Sequence, residues 1–420
     1  MKRQIIFSAA ASLTAIVLSC PGSGLRAEVV LLGAAGFPGD ASDLSKSAEP
    51  LEDGTPANRF GGISAIEYSG ADDRYLVLSD RGPADGAASY RCRFHLVRLT
   101  VAPESAKPVA AALVSTTFLR DEQGQNLVGA ASAFDAGDPA KGLRFDPESI
   151  RRANGRFYIS DEYGPFIAEF SPDGVRSRLL GVPTRFQALH PAATPEDESR
   201  LNSSGRQTNA GLEGMAATPD GKALVAIMQR PLIQDCAPGA KSRKRQGRNN
   251  RVLKLDPADG GTREYVYVLD DPSYGVSEVL AINDHEFLVL ERDGKGGGEA
   301  RCKRIYQIDL RGASDVSDCE ALPVDRLPEN IRPVGKSPFL DLLEPRFAIK
   351  SPECPAKFEG LAFGPDLADG RRLLVVACDS DFDVARATIF YAFAVDRDDL
   401  PRFGWLPRAD GASPSNRSNP

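Results

Sequence analysis

Five copies of a short phrase along the sequence place a carboxylate or hydroxyl side chain near the start of an apolar run. Each copy ends in a second apolar run that is followed by acidic, polar and arginine residues. Carboxylates can transfer protons and can bind hard cations, so repeated carboxylates at fixed positions predict a site assembled from repeated units. The carboxylate or hydroxyl residues of the five copies are 84, 65, 65 and 81 residues apart: Ser64, Glu148, Glu213, Glu278 and Glu359.

Repeats of this size that are rich in short strands predict an all-β fold, a single β-propeller of four-stranded antiparallel blades. Four groups of four strands are expected at 61–119, 147–182, 211–269 and 275–323, the last with an outer strand near 317–323. A fifth group at 358–395 has three strands, and the N-terminal strand near 28–32 would complete it and close the ring. We count five blades, and a sixth could lie in 320–357 or in the long loops.

Antiparallel neighbours bring the start of the first strand and the end of the second strand of a blade to the same face. The first strands line the channel, so the repeated side chains should converge at one channel mouth. The expected catalytic residues are Glu148, Glu213, Glu278 and Glu359. The expected metal ligands are Asp80, Glu148, Asp161, Glu162, Glu213, Glu291, Glu359 and Asp379.

Carboxylates that crowd one mouth repel one another and raise their pKa values unless a cation neutralises them. Ca²⁺ is the ion that such hard oxygen ligands favour. The alternative is structural: each glutamate would accept hydrogen bonds from the backbone of the neighbouring blade and hold the two blades together.

Basic residues follow the same repeats and predict an anion-binding function. A guanidinium beside a metal can hold a phosphate or a carboxylate through two parallel hydrogen bonds. Salt bridges to the neighbouring acids are the alternative. The basic run 241–251 is either a solvated loop or a surface that recruits an anionic substrate. The expected substrate-binding residues are Arg81, Arg230, Arg292 and Lys357.

The amino terminus predicts export. Lys2 and Arg3 precede a short apolar stretch and then a cleavage site after Ala27, which gives a signal peptide (1–27), a propeller domain (28–409) and a disordered tail (410–420). Lipid attachment at Cys20 is an alternative. We expect a monomer in the periplasm or outside the cell, with no integral membrane segment after signal removal. The net charge of −7 becomes −10 without residues 1–27, which disfavours nucleic acid as a partner.

Six cysteines remain after the signal, an even number that suits an oxidising compartment. The predicted strand order brings three pairs together: Cys302–Cys319, Cys354–Cys378 and Cys92–Cys236. The sequence has no G-x-S-x-G motif, and its three histidines are far apart, so neither an α/β-hydrolase site nor a zinc cluster is indicated.

The phrases DPESI…YISDEYGP, GLEGMA, ERDG…IYQIDL and FEGLAF together resemble the phytase-like family of secreted bacterial proteins, described as esterase-like activity of phytase. The resemblance covers roughly residues 58–395. It implies a β-propeller, export and hydrolysis of a phosphoester or ester. The chain resembles the six-bladed Ca²⁺-dependent propeller phytases more distantly. Two other functions stay open: a lactonase-like sugar hydrolase and a non-catalytic propeller that binds a ligand or protein.

Overall fold

The computed structural model describes residues 29–134, 142–238 and 245–404. Within these ranges the strands form five four-stranded antiparallel sheets, and the first strand of each sheet contacts the first strand of the next around a closed ring. The protein is therefore a five-bladed β-propeller, as predicted, and residues 320–357 form no sixth blade. The signal peptide 1–27 with Cys20, residues 241–244 of the basic run and the tail 410–420 lie outside the described residues.

The strands follow the chain order blade by blade. Blade 1 contains β2 Ile63–Tyr68, β3 Arg74–Ser79, β4 Arg93–Val101 and β5 Val109–Phe118. Blade 2 contains β6 Pro147–Ala153, β7 Arg156–Asp161, β8 Phe166–Phe170 and β9 Arg176–Leu180. Blade 3 contains β10 Leu212–Ala217, β11 Leu224–Met228, β12 Asn249–Leu255 and β13 Thr262–Val268. Blade 4 contains β14 Gly275–Ala281, β15 Glu286–Arg292, β16 Lys303–Asp309 and β17 Gly335–Asp341. Blade 5 contains β18 Phe358–Phe363, β19 Arg372–Cys378, β20 Thr388–Val395 and β1 Val30–Phe37.

Helical structure is confined to the connections. The α-helix α1 spans Pro195–Leu201 and begins at Thr194, whose side chain accepts a hydrogen bond from the Asp197 amide. No helix in the described ranges combines the length and apolar character that crossing a bilayer requires. The short 3₁₀ turns are Ala84–Gly86, Thr184–Phe186, Ile233–Asp235, Gly297–Glu299, Pro345–Phe347 and Arg397–Asp399.

The core lies between neighbouring blades. The first two strands of each blade are buried on both faces, which is why they are nearly continuous apolar runs rather than alternating ones. Between blades 3 and 4, for example, Val225, Ile227, Val276 and Val289 pack in one fully buried cluster. Each such side chain contributes about 1.5–3 kcal/mol by leaving water.

The N-terminal strand closes the ring, as predicted. β1 pairs antiparallel with β20 from Val30 opposite Ala394 to Phe37 opposite Thr388, and forms the outer edge of blade 5. Gly36 is required there, because a Cβ at that position would lie 1.9 Å from the Thr388 carbonyl oxygen. This closure joins the two ends of the described chain in one sheet and leaves blade 5 complete.

A β-bulge interrupts the first strand of every blade at the same place. In each case one residue near the start of the strand has no partner on the second strand, while the residues on either side of it are paired. A bulge of this kind re-aims a side chain and commonly lies beside functional sites. The unpaired residues are Ser64, Glu148, Glu213, Ser277 and Glu359.

The outer strand of blade 4 differs from the prediction. The strand is Gly335–Asp341, not the segment near 317–323. That segment instead packs on blade 3, where the Val316 amide donates to the Glu264 carbonyl and Leu322 joins a small cluster with Val266. The long connection after β16 therefore covers the neighbouring blade before the chain returns to its own.

None of the three predicted disulfides is present, because all six cysteines described here are free thiols. Cys319 follows the displaced segment onto blade 3, whereas the Cys302 thiol donates to the Glu291 carbonyl in blade 4. The Cys92 thiol donates to the Phe145 carbonyl, whereas the Cys236 thiol donates to the Pro231 carbonyl. The two cysteines of this pair therefore contact different parts of the chain and not each other. The members of the remaining pair, Cys354 and Cys378, share one core cluster without a bond.

Candidate functional site

One face of the disc carries a cavity of about 1140 Å³ at the channel mouth. Ten of the residues predicted for the site line it, and they come from all five blades. Two rings of backbone positions supply most of these side chains. The ten are Asp80, Arg81, Glu148, Glu162, Glu213, Arg230, Arg292, Lys357, Glu359 and Asp379.

The first ring consists of the bulge residues. Ser64, Glu148, Glu213 and Glu359 all line the cavity. In blade 4 this position belongs to Ser277, whose hydroxyl oxygen accepts a hydrogen bond of 2.7 Å from Nε of Arg292. The bulge explains why a polar side chain at the start of an otherwise buried apolar strand faces the mouth.

The second ring follows the end of the second strand. On the second strand of each blade, one residue pairs with the residue that precedes the bulge of the first strand. These paired residues are Ser79, Asp161, Met228, Glu291 and Cys378. The next residue along the chain faces the cavity. The second ring is Asp80, Glu162, Gln229, Arg292 and Asp379.

Two predicted metal ligands lie one residue too early for this ring. Successive side chains of a strand point in opposite directions, so Asp161 and Glu291 point away from the cavity. Asp161 accepts from the Asp146 amide at 2.9 Å, and burial raises its pKa to about 6. Glu291 accepts from the Tyr267 hydroxyl at 2.6 Å and pairs with Lys336 at 2.8 Å, away from the mouth.

Glu278 also lies away from the mouth, because the bulge of blade 4 falls on the residue before it. Its carboxylate is fully buried inside the channel, 2.7 Å from Nη2 of Arg151. It also accepts from the amides of Val279 and Met215 and from the Ser149 hydroxyl. The structure thus brings three of the four predicted catalytic glutamates together at the mouth and places the fourth in an internal ion pair.

Built-in cations neutralise part of the acidic rim. Nη1 of Arg81 lies 2.5 Å from Asp146 and 3.3 Å from Glu162, and Nη2 bonds Asp85 at 3.1 Å and Asn209. A guanidinium with this many partners is consumed by the protein, so Arg81 matches the salt-bridge alternative rather than free anion binding.

Lys357 and Arg292 neutralise the other side of the rim. Lys357 pairs with Asp381 at 2.6 Å and with Asp379 at 3.4 Å, and Arg292 pairs with Glu359 at 2.5 Å. The structural alternative for the acids also applies in part. Asp379 accepts a hydrogen bond of 2.9 Å from the amide of Ile63, in the first strand of blade 1, and so connects blade 5 to blade 1.

Three carboxyl groups of the rim have no cationic partner within salt-bridge distance among the described residues: Asp80, Glu148 and Glu213. Burial raises the pKa of each well above its ordinary value. The next largest cause is a neighbouring carboxylate: Glu213 acts on the pKa of Glu148, and Asp379 acts on that of Asp80. The Gln229 amide donates to Oε1 of Glu213 at 2.6 Å, while Oε2 is buried without a hydrogen bond.

These groups fit a hard divalent cation. One oxygen from each of Asp146, Glu148 and Glu162 lies within 4.8 Å of the others, and all three residues are buried. Ca²⁺ takes several such oxygens, and it would neutralise the negative charge that burial now penalises. The sequence predicted Glu148 and Glu162 but missed Asp146, although it stands two residues before the bulge in the phrase DPES.

Arg230 differs from the other basic residues of the mouth. Its only described hydrogen bond is from Nη2 to the Ser273 carbonyl at 2.9 Å, and no carboxylate of the described chain lies within salt-bridge distance. Burial lowers the pKa of Arg230, and the neighbouring Arg292 lowers it further. A cavity-lining guanidinium in this condition is an attachment point for an anionic group.

Other cavity residues were missed by the sequence reading because they lie in connections. Asn209 is held in the left-handed region at φ 54°, which orients its side-chain oxygen toward Arg81. Asp381 has φ 56° and follows the second-ring residue of blade 5 by two positions. The polar residues after the second strand of blade 5 were the available signal for Asp381, whereas Asn209 lies just before the first strand of blade 3, in the phrase NAGLEG.

The comparisons place the chain in a family. The family described as Phytase-like, esterase-like activity of phytase, matches residues 58–382, so the chain belongs to it. A curated relative, an uncharacterized secreted protein of Arthroderma benhamiae, is 27% identical over an alignment of 316 residues. The alignment covers 58% of this chain. The matched region spans 60% of that relative's own length. Because this relative is fungal, the bacterial origin expected from sequence stays a prediction.

Solved structures with a similar outline are distant. An α-L-arabinofuranosidase of Lactobacillus brevis aligns with 87% of this chain and 99% of its own, at 12% identity and a TM-score of 0.39. A calcium-binding protein, regucalcin, of Agrobacterium tumefaciens covers 89% of this chain and 96% of its own, at 10% identity and a TM-score of 0.36. Nothing about the chemistry of this chain follows from likenesses at this level.

Proposed function

We propose that this protein is an exported hydrolase that cleaves a phosphoester or ester at the channel mouth. The observation that supports the proposal is a juxtaposition within one cavity. Buried carboxyl groups without counter-charges stand on one side, at Glu148, Asp80 and Glu213. Arg230, a guanidinium without a carboxylate partner, stands on another side. Ester hydrolysis needs both functions: one to handle protons or a cation, the other to hold the substrate.

The carboxyl cluster of blades 1 and 2 would hold Ca²⁺ through Asp146, Glu148 and Glu162. When bound, the ion would supply a positive charge for a substrate oxygen and for a water molecule. Arg81 keeps Asp146 and Glu162 oriented through its two contacts with them. Glu148, which has no such contact, is the ligand whose charge is left for the cation.

The opposite side of the cavity would bind and orient the substrate. Arg230 would donate hydrogen bonds to a phosphate or carboxylate oxygen, with Arg292 beside it at a position fixed by Ser277 and Glu359. Glu213, one of the carboxyl groups without a counter-charge, accepts a hydrogen bond from Gln229. Burial raises the pKa of Glu213, which suits a group that gives a proton to a leaving oxygen.

Export supports the same proposal. The sequence carries a signal-like amino terminus, and the curated relative is described as secreted. A periplasmic or extracellular location would supply Ca²⁺ at concentrations that a weak oxygen site can use. We propose that the mature protein acts there as a monomer on a small anionic or ester substrate.

The test is a hydrolysis screen on purified mature protein with phytate, p-nitrophenyl phosphate, p-nitrophenyl acetate and a sugar lactone, each with Ca²⁺ or with a chelator. We expect Ca²⁺-dependent turnover of at least one ester, lost by a factor of 100 or more, on the order of a missing electrostatic contact, in Glu148→Gln. Arg230→Gln should raise KM more than it lowers kcat. Glu104→Gln, on an exposed loop, is the matched control. Turnover of the lactone alone would favour a lactonase, and no turnover of any substrate would overturn the proposal.

A further inference from the structure

A smaller side chamber of about 140 Å³ lies beside the mouth cavity, under α1 and its flanking loops. Arg81, Glu162 and Asn209 line both spaces, so the chamber adjoins the candidate site and shares one second-ring residue, Glu162, with it. Its remaining polar lining includes Arg144, Arg206, Glu198 and Thr208. The volume is large enough for several waters or one small ion.

Two buried arginines in the chamber have different surroundings. Arg206 donates to Oε1 of Glu198 at 2.8 Å and to the Tyr163 carbonyl at 2.6 Å and 2.9 Å. Arg144 is almost as buried, with its side chain 4% exposed, but its nearest carboxylate oxygen, on Glu198, is 3.7 Å away. Burial lowers the pKa of Arg144, whereas the pKa of Arg206 is raised by Glu198 in spite of burial.

Arg144 is also short of hydrogen bonds. Only Nη1 has described partners, the carbonyls of Ala131 and Ala192, at the long distances of 3.3 and 3.4 Å. The Tyr163 ring lies 4.4 Å from the guanidinium carbon and covers one face of it. Among the described residues, Nε and Nη2 of Arg144 donate no hydrogen bond, so the guanidinium keeps donors for a ligand.

Two further side chains that line the chamber beside its carboxylates, Thr208 and Asn209, have donors to offer. The Thr208 hydroxyl makes no hydrogen bond within the described chain. Asn209 uses its side-chain oxygen to accept from Arg81, which leaves its amide nitrogen as a donor. Arg206 has already claimed one oxygen of Glu198. Unused donors around a buried, under-compensated cation call for a ligand that is negatively charged and rich in acceptors.

We propose that the side chamber binds a small oxyanion, a phosphate or a carboxylate group, on Arg144 with Thr208 and Asn209. The ligand would supply the negative charge and the acceptors that Arg144 lacks. Its position next to Glu162 would place it beside the mouth cavity. The site is independent of the proposed hydrolytic function, because it requires binding only.

The experiment measures binding by calorimetry on the mature protein, with two probes. Inorganic phosphate reports a free ion, and benzylphosphonate, which cannot be cleaved as an ester, reports an anionic group on a larger molecule. We expect Arg144→Gln to weaken binding of at least one probe tenfold or more, and Thr208→Val to weaken the same probe about threefold. Arg311→Gln is the matched control, because Arg311 is exposed and lines neither cavity, and the variant should change that affinity less than twofold.

Loss of phosphate binding alone in Arg144→Gln identifies a free ion as the ligand, and loss of both probes identifies a group on a larger molecule; either result supports the site. Equal affinities in the wild type and Arg144→Gln overturn it, as does the absence of binding of both probes at 50 mM. Where Arg144→Gln does not fold, Thr208→Val decides, because it leaves every ion pair of the chamber in place. An unchanged affinity in that variant overturns the proposal.

Discussion

The mouth and the interior of the channel contain the same kinds of residues in opposite electrostatic conditions. In the interior, the Glu278 carboxylate has Arg151 at 2.7 Å and two backbone amides, and Arg151 donates to the carbonyls of Ile66, Ile150 and Val279. At the mouth, Glu148 is buried with acidic neighbours and no cation within salt-bridge distance in the described ranges. The interior carboxylate has a cation of its own, whereas Glu148 at the mouth has none within the described ranges.

The separation between the two conditions is one residue of chain. Glu278 follows the bulge of blade 4, and Glu148, Glu213 and Glu359 are themselves the bulges of their blades. A carboxylate on the bulge faces the cavity, and a carboxylate one step later points into the channel. The comparison teaches that the backbone register, not the residue type, decides whether a glutamate stabilises this fold or is left for chemistry.

The largest expected effect is in the interior. Arg151→Met should lower the free energy of unfolding by about 3–5 kcal/mol, because it leaves the buried Glu278 without its counter-charge. The double variant Arg151→Met with Glu278→Leu should recover most of that loss. Urea denaturation of the four proteins of this double-mutant cycle measures both terms. A loss below about 1 kcal/mol in the single variant would contradict the self-sufficient interior.

The next effect is a response to Ca²⁺ at the mouth. An ion that binds only the folded protein stabilises it by about 3 kcal/mol when present at 100 times its Kd. We expect Ca²⁺ to raise the melting temperature of the wild type and to leave Glu148→Gln nearly unchanged. Glu291→Gln, a carboxylate away from the cavity, should respond like the wild type. An equal response in Glu148→Gln would show that the ion binds elsewhere.

A pH effect should follow from Glu278. Burial raises its pKa to about 7 in the folded protein, so the folded state holds this proton more tightly than the unfolded state. The stability that the proton contributes is complete below the unfolded pKa of about 4.5 and is lost as pH rises through about 7. Glu278→Gln should flatten the unfolding free energy between these values by roughly 3 kcal/mol. Parallel curves for the two proteins would rule out this assignment.

The smallest effect distinguishes the mouth from the interior most directly. Without Ca²⁺, Glu148→Gln should raise the free energy of unfolding by about 1 kcal/mol, because it removes one of several repelling buried carboxylates. Removal of the interior cation in Arg151→Met should instead lower it at pH 8, because it leaves the Glu278 carboxylate without its counter-charge. Denaturation of both variants in the presence of a chelator checks the opposite signs. A destabilised Glu148→Gln would show that the mouth is electrostatically satisfied.

The sequence predicted the fold because the strand signals were strong. The five repeats and the missing fourth strand of the last group required a closed five-bladed ring, and β1 supplies that strand. The outer strand of blade 4 could not be predicted with the same ease. The segment near 317–323 looks like a strand locally, and only its contacts with Val266 and Glu264 of blade 3 show where it packs.

The site was predictable to within one residue. An ungapped comparison of GLEGMAAT with GVSEVLAI aligns Glu213 with Ser277, and that signal was available in the sequence. Preferring the nearest glutamate gave Glu278 instead. The bulges themselves carry no sequence signature here, so neither the exclusion of Asp161 nor the inclusion of Asp146 followed from spacing alone.

The shared bulge also gives each of the five blades one equivalent position at which the side chain can vary. The bulge residue pairs with nothing, so the hydrogen bonds of the sheet do not depend on which side chain occupies it. Two of these bulge positions hold serine, at Ser64 and Ser277, and three hold glutamate. The number of charges at the mouth can therefore be reset one blade at a time by substitutions such as Ser64→Glu, with each blade's ladder left intact. In a propeller of this design, the side chains at the channel mouth can change while the sheets that position them stay the same.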